Sequence, residues 1–468
     1  MRSIGADPGV RPGLSAGSDS LKARRGWQIM GQAERKQRRF VTLIFAIVFL
    51  LNAAILFLVV PNAERILFRK YSVGFSDEYD LIANNLDTGT GYRIDAHMSE
   101  TMMREPGYPL FLAGIFAIGG YHIETARLAN LVLAFGIALM MMSLARRITH
   151  DWAASVLAAL LFVLYPGIVM SEARGGVEII FIFTVMVFML ALYRAVERGN
   201  LRGYFLAGLA LGVVVQVRSS PLLFPVLLLL YLGIMSKGTA ERLKAISNVA
   251  VLVAGMAIVM VPWVVRNYRL VHKFVPTASV QGVSLQEGQY CCMHLSLDND
   301  LLTVMNQAGR QRAALARDLG LPFEGTYYYQ EFYRPEDELT FSKALSQRAV
   351  SVYRSDPPLL LKCVAKNFFN FWFLGKTWQV TWFNMLSQIP LLGLCFGGIY
   401  LLWKNGLGRN LGLILLFAIY VLAVHSMIIA HARHSMQIVP FLMIPAGACL
   451  AAIGQKWQNR HAAAQSAA

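Results

Sequence analysis

About ten apolar runs, most of them close to the ~20 residues that cross a bilayer, decide what this chain can fold into. They occupy residues 40–61, 126–146, 152–170, 177–193, 203–218, 221–236, 246–263, 381–403, 411–430 and 436–454. A soluble domain has no core large enough to hide so many. In lipid the backbone must satisfy its own polar groups, which leaves helices or a closed barrel, and the run lengths are those of helices. The expected fold is an all-α polytopic membrane protein with about ten transmembrane helices and juxtamembrane helices on its outer face. Composition agrees, with 56% hydrophobic and 15% charged residues.

The net charge of +16 does not point to nucleic acid. Its excess sits in the chain ends and the short loops beside the runs, where the positive-inside rule places it. Residues 1–39 read as a basic, disordered cytoplasmic arm. The first apolar run is too long and too far from the start for a cleaved signal peptide, so it reads as a retained span. With the N-terminus inside, Arg146-Arg147, Arg194 to Arg202, Lys237 to Lys244, Lys404 to Arg409 and the tail 456–468 all fall on the cytoplasmic side. Residues 40–455 form one membrane domain with two long outer loops, 62–125 and 264–380. The apolar segment 106–121 is too short to cross and would invert every later loop, so it is a juxtamembrane or re-entrant helix. Arg65, Arg69 and Lys70 stand outside against the rule, on a surface helix near headgroups. The second loop carries amphipathic helices near 301–319 and 336–355 and an interfacial helix over 357–374. Tyr327-Tyr328-Tyr329, Trp372, Trp378 and Trp382 fit an interfacial belt as well as a groove. The five cysteines suggest neither a disulfide framework nor a zinc site.

The chemistry-bearing residues gather on the outer side. Phe75-Ser76-Asp77-Glu78-Tyr79-Asp80 leads into an apolar helix pattern, and Arg104-Glu105-Pro106-Gly107-Tyr108-Pro109 follows. Asp77 has two readings, an N-cap for the helix behind it or a catalytic carboxylate. Arg104 either grips a phosphate bidentately or anchors a helix to headgroups. Arg218, Arg266 and Arg433 each end or open an apolar run, where an arginine faces a polar cavity or snorkels to the interface.

The ordered set Ser76-Asp77-Glu78-Tyr79-Asp80…Gly89…Gly91-Tyr92, Arg104…Pro106-Gly107-Tyr108-Pro109, Tyr165-Pro166, Arg218-Ser219-Ser220-Pro221, Pro262-Trp263…Arg266-Asn267-Tyr268 and His431-Ala432-Arg433-His434…Pro440 resembles the polytopic glycosyltransferases of the C-type superfold. More narrowly it resembles their polyprenyl-phosphate-sugar-dependent branch, which includes protein mannosyltransferases, aminoarabinose transferases and rhizobial galacturonosyl transferases. The resemblance covers about 40–455. His434 departs from it, since relatives often have Tyr there, and so does Gln281-Gly282, where many have a second Gly.

The resemblance implies a transferase in the inner membrane with its active site on the periplasmic face. A sugar would pass from a polyprenyl-phosphate donor to a lipid, glycan or protein acceptor. It implies Asp77 as the catalytic base, with Arg104, Arg218, Arg266 and Arg433 on the donor phosphate or sugar. Glu78, Asp80, Glu172 and Glu178 are supporting acidic groups. A divalent cation, if used, would draw on the Glu172–Glu178 loop together with Asp77. The competing reading is a transporter or flippase of a lipid-linked sugar. Transporters keep ionisable groups at mid-membrane, whereas here the charges collect on one face.

Overall fold

The structure, a computed structural model, describes residues 39, 41–62, 75, 77–325 and 330–467. Of the features read from the sequence, the arm up to residue 38, Arg65, Arg69, Lys70, Ser76 and Tyr327-Tyr328-Tyr329 lie outside the described residues. The chain divides into two compact units, Met1–Leu51 and Asn52–Ala468. The described part of the first is essentially the opening of the apolar helix α1 (Val41–Asn62). Everything below belongs to the second.

The fold is that of an all-α polytopic membrane protein. After α1 come the two short helices of the first loop, α2 (Tyr79–Asp87) and α3 (Gly107–Gly119). The bundle continues with α4 (Ile123–Thr149), α5 (Trp152–Leu164), α6 (Pro166–Ala173), α7 (Glu178–Arg198), α8 (Leu201–Val217), α9 (Phe224–Met235) and α10 (Thr239–Val271). The second loop folds as α11 (Gln281–His294), α12 (Leu301–Asp318), α13 (Pro335–Ser355) and α14 (Pro357–Phe373). A two-stranded antiparallel ribbon with Phe323 opposite Phe332 lies between α12 and α13. The chain closes with α15 (Trp378–Lys404), α16 (Gly412–Met427), α17 (Ala432–Ser435) and α18 (Val439–Ala467).

Among the described residues, seven helices are long and apolar enough to cross a membrane, or eight if the bent pair α5 and α6 counts as one. Helices stand at all ten expected positions, but α8 and the segment Ser220–Met235 are shorter than a span, so length alone does not reach ten. Sequence explains the interruptions. Pro166 cannot donate to the α5 ladder, and the chain bends by 47° between α5 and α6. Asn52, buried in α1, donates to the Val163 carbonyl at 2.9 Å, close to that break. α8 stops where Arg218 turns extended before Pro221. In the opposite sense, α10 outruns the apolar run 246–263 at both ends, because its first turns are a solvated basic helix and Pro262 is carried inside it.

Glycines set the closest packing. A Cβ on Gly208 of α8 would stand 2.0 Å from the Leu252 carbonyl of α10, and one on Gly398 of α15 would stand 1.8 Å from that of Pro445 in α18. Small residues let such helices approach where lipid offers no hydrophobic drive. In the second loop, α11 packs on α12, α13 and α14. Cys292 of α11 and Cys363 of α14 are joined by a disulfide across 71 residues. The sequence reading saw no disulfide. Of the adjacent pair, Cys292 is bridged and Cys291 is free, as are Cys395 and Cys449, and only the side-by-side packing of α11 and α14 reveals the bridge.

Candidate active site

The first loop enters the site through two consecutive left-handed residues, Asp77 (φ 71°) and Glu78 (φ 55°). Asp is one of the few side-chain-bearing residues that visit this region readily. Helix α2 starts only at Tyr79, and Glu78 at its cap position makes no side-chain cap bond. The cap reading of Asp77 thus gives way: its carboxylate turns to arginines. Arg433 donates from Nη2 to Asp77 Oδ2 and from Nε to Glu178 Oε1, so one guanidinium bridges two carboxylates. Arg218 Nη1 stands 3.9 Å from the same Glu178 oxygen. Arg104 donates from Nε to the Asp77 carbonyl at 3.1 Å and lies 5.0 Å over the Tyr79 ring.

Burial alone would push the Asp77 carboxyl up, but Arg433 and Arg104, with Arg218 behind them, outweigh it and hold Asp77 well below the usual carboxylate range. Glu78 goes the other way. Burial pushes it up to about 8 and Arg104 offsets only part of that. Its Oε2 is 3.6 Å from Arg104 Nη2, too far for a hydrogen bond. At neutral pH one acid is therefore a carboxylate and its neighbour a neutral acid. His431 is driven down to about 3 by burial and by Arg433, so it is a neutral ring beside the cluster. His434 stacks on His425 at 4.2 Å between ring centroids and lies tilted against His431 at 4.1 Å.

Several contacts bind this cluster into the fold. The Glu105 carboxylate accepts the Ser219 amide at 3.1 Å, tying the Arg104 loop to the Arg218 turn. Tyr92 donates to the carbonyls of Arg104 and Glu105 at 3.0 and 3.1 Å. Tyr108 of α3 donates to the Gly175 carbonyl, which fixes the Glu172–Glu178 loop. Gly107 lets α3 start against α8, since a Cβ there would meet the Gln216 carbonyl at 2.7 Å.

Of the residues read from sequence, Asp77, Glu78, Arg104, Arg218, Arg433 and Glu178 meet at this point. Asp80 stands one turn away and accepts from Tyr121 at 2.6 Å. Arg266 makes a separate group. It pairs with Glu100 at 3.0 Å, donates to the Thr101 carbonyl at 2.8 Å, and packs over the rings of Tyr92 and Trp263. Glu172 is fully buried, and among the described residues neither carboxylate oxygen has a hydrogen-bond partner. Among the described residues no group of three or more His, Cys, Asp or Glu is placed to hold a metal ion. Asp77 and Glu178 both spend an oxygen on Arg433, so this arrangement does not fit a divalent cation.

Residues 103–265 match the family model described as dolichyl-phosphate-mannose-protein mannosyltransferase. That segment carries Arg104, Glu178 and Arg218. The match supports the C-type superfold of membrane glycosyltransferases. Among solved structures, the chain is similar to the Archaeoglobus fulgidus oligosaccharyltransferase, crystallised in complex with Zn and sulfate. The identity is 13% and the TM-score 0.47, over 88% of this chain and 50% of that one. This chain thus spans half the length of that relative. No curated protein matches it.

The site has further members that sequence reasoning missed. Glu287 of α11 lies within electrostatic reach of Asp77 and Arg104 and pairs with the buried Arg312 at 3.2 Å. Lys376, in the turn before α15, lies within reach of Asp77, Arg433 and Arg174. That turn is docked on the Arg433 helix, because the Leu374 carbonyl accepts the Ala432 amide at 2.8 Å. Arg174 was visible between Glu172 and Glu178. Glu287 and Lys376 carry no local signal, because only the folding of the second loop brings them here.

Proposed function

We propose that this chain is an integral membrane glycosyltransferase of the inner membrane. It moves a sugar from a polyprenyl-phosphate donor to a lipid, glycan or protein acceptor on the periplasmic face. The bridging of Asp77 and Glu178 by Arg433, with Arg104 and Arg218 alongside, carries this reading. It sets two paired carboxylates among cations suited to a departing phosphate.

In this reaction an acceptor hydroxyl attacks the anomeric carbon, and the bond from that carbon to the lipid phosphate breaks. The phosphate leaves with the electron pair, onto Arg104, Arg218 and Arg433. The hydroxyl proton goes to Asp77. A low proton affinity suits a base that acts late, once the attacking oxygen has become acidic. Donor binding also adjusts it. As phosphate oxygens compete for Arg433, the pull on Asp77 relaxes and burial raises its affinity for the proton. Helix α3 leaves Leu110 and Ile118 exposed beside the site, an apolar surface on which a prenyl chain can lie.

Two observations support the periplasmic orientation. Disulfides such as Cys292–Cys363 persist in oxidising compartments. The basic loop clusters lie at the opposite helix ends, as the positive-inside rule requires of a cytoplasmic face.

The test is transfer from a labelled panel of polyprenyl-phosphate hexoses and uronic acids by wild type and by Asp77→Asn, with total membrane lipid as acceptor. Transfer by wild type and its loss in a folded Asp77→Asn is the expected result. Unchanged transfer in the variant would refute Asp77 as base. Movement of lipid between leaflets without transfer would favour the flippase.

A further inference from the structure

The far end of the bundle, opposite Asp77, holds a cavity that the transfer reaction does not use. It measures about 230 Å³ and lies between the ends of α4, α7 and α9 and the start of α16. Arg147, Glu197, Tyr231, Arg409 and Asn410 give it a polar half, while Val196, Leu232, Met235 and Leu413 give it an apolar half. We propose that it holds the phosphate headgroup of an anionic phospholipid from the leaflet on that side.

The polar half is sorted by charge. Arg147 is already paired with Glu197 at 2.7 Å. Tyr193 donates to the Asn410 carbonyl at 2.7 Å, and Asn410 donates to the Ile148 carbonyl at 3.2 Å, which fixes the turn carrying Arg409. Arg409 is exposed, and among the described residues its guanidinium makes no ion pair. The Tyr231 hydroxyl sits over the start of α16, where a Cβ on Gly412 would stand 2.2 Å from it. A guanidinium without an ion pair and a phenol hydroxyl lining the same cavity form a donor set for phosphate oxygens.

The apolar half argues for a lipid rather than a free anion. Met235 and Val196 at its rim are 46% and 37% exposed, and the neighbouring Leu230 and Ile234 are 57% and 78% exposed on the bundle surface. Acyl chains leaving the headgroup would run along that surface. Arg146, Arg194 and Lys404 add positive charge at the same end, which favours a net negative headgroup over a zwitterionic one. The cavity is below the roughly 300–1,000 Å³ of pockets for drug-sized ligands, so it has room for a headgroup and little more. This site does not depend on the proposed transfer reaction.

The experiment is native mass spectrometry of the full chain with short-chain phosphatidylglycerol as probe. Phosphatidylcholine of the same chain length and inorganic phosphate serve as the other arms. Wild type is expected to bind phosphatidylglycerol in preference to phosphatidylcholine, with inorganic phosphate failing to displace it. Arg409→Ala, an exposed change that spares the fold, is expected to weaken binding about tenfold, as loss of a charge-assisted contact requires. Met235→Trp, which fills the apolar half, is expected to weaken it as well. Equal binding by Arg409→Ala and wild type, or equal binding of the two lipids, would overturn the proposal. Displacement by inorganic phosphate at equal concentration would overturn the lipid and leave a free-anion site.

Discussion

Replacing Arg433 by Gln tests the centre of the site most severely. The change removes the donor to both Asp77 and Glu178. Each charge-assisted hydrogen bond contributes about 1.5–3 kcal/mol, and a buried ion pair stripped of one partner costs about 3–5 kcal/mol. Glu178 is 3% exposed and keeps only the longer contact to Arg218, so the larger figure applies to it. Asp77 keeps Arg104 and Arg218 nearby. The single variant should therefore lose about 3 kcal/mol of stability, read as a lower half-denaturation temperature in detergent. Its transfer rate should fall about 100- to 1,000-fold, the usual effect of removing one stabiliser of developing charge. The double variant Arg433→Gln, Glu178→Gln removes the stranded carboxylate, so it should regain most of the stability and none of the activity. The pH profile gives an independent sign. Without Arg433 the burial of Asp77 dominates and its pKa rises, so residual activity should fail on acidification at a higher pH than in wild type. Recovery of activity in the double variant would show that Arg433 only balances Glu178, and the assignment to donor phosphate would fail.

Three further outcomes follow from the same geometry. The Glu78 carboxyl lies at about 8 in the folded chain, above its ordinary value of 4.5, so its contribution to stability is full below that ordinary value and is lost as pH rises through about 8; Glu78→Gln should flatten the decline in melting temperature between these two values, and an unchanged decline would assign it elsewhere. Opening the Cys292–Cys363 bridge, which spans 71 residues, should cost about 4 kcal/mol on the chain-entropy account, measured as a lower melting temperature of Cys363→Ser under non-reducing conditions. Gly288→Ala would set a Cβ 1.8 Å from the Ile428 carbonyl, so it should lower both yield and melting temperature. Full stability there would mean that α11 does not pack so closely on the end of α16.

What was legible in the sequence is what local pattern controls. The short helix near 106–121 and the loop helices near 301–319, 336–355 and 357–374 reappear as helices within a few residues, and each apolar run reappears as helix, with 152–170 broken in two and 246–263 and 436–454 extended. Each depends on periodicity or on a proline or cap nearby. The candidate arginines stood out for a related reason, since an arginine at the end of an apolar run is costly enough to be noticed. Their grouping was not. Asp77 and Arg433 are 356 positions apart, and nothing near either names the other. The same applies to Glu287 and Lys376, and to the Cys292–Cys363 pair. The N-cap alternative for Asp77 failed for a backbone reason, because composition does not reveal two successive left-handed residues.

Those two residues also narrow what the protein can become. At φ 71° an alanine or a β-branched residue at position 77 would be resisted by the backbone before its chemistry was tested. Asparagine and glycine fit the turn but cannot take a proton from a hydroxyl. Aspartate is then the residue that answers both demands, and a drift to glutamate would have to reshape the turn to keep a carboxylate in place. With Asp77 in the proposed role of base, loss of transfer at this position is easy to reach by mutation and hard to reverse by any route except aspartate itself.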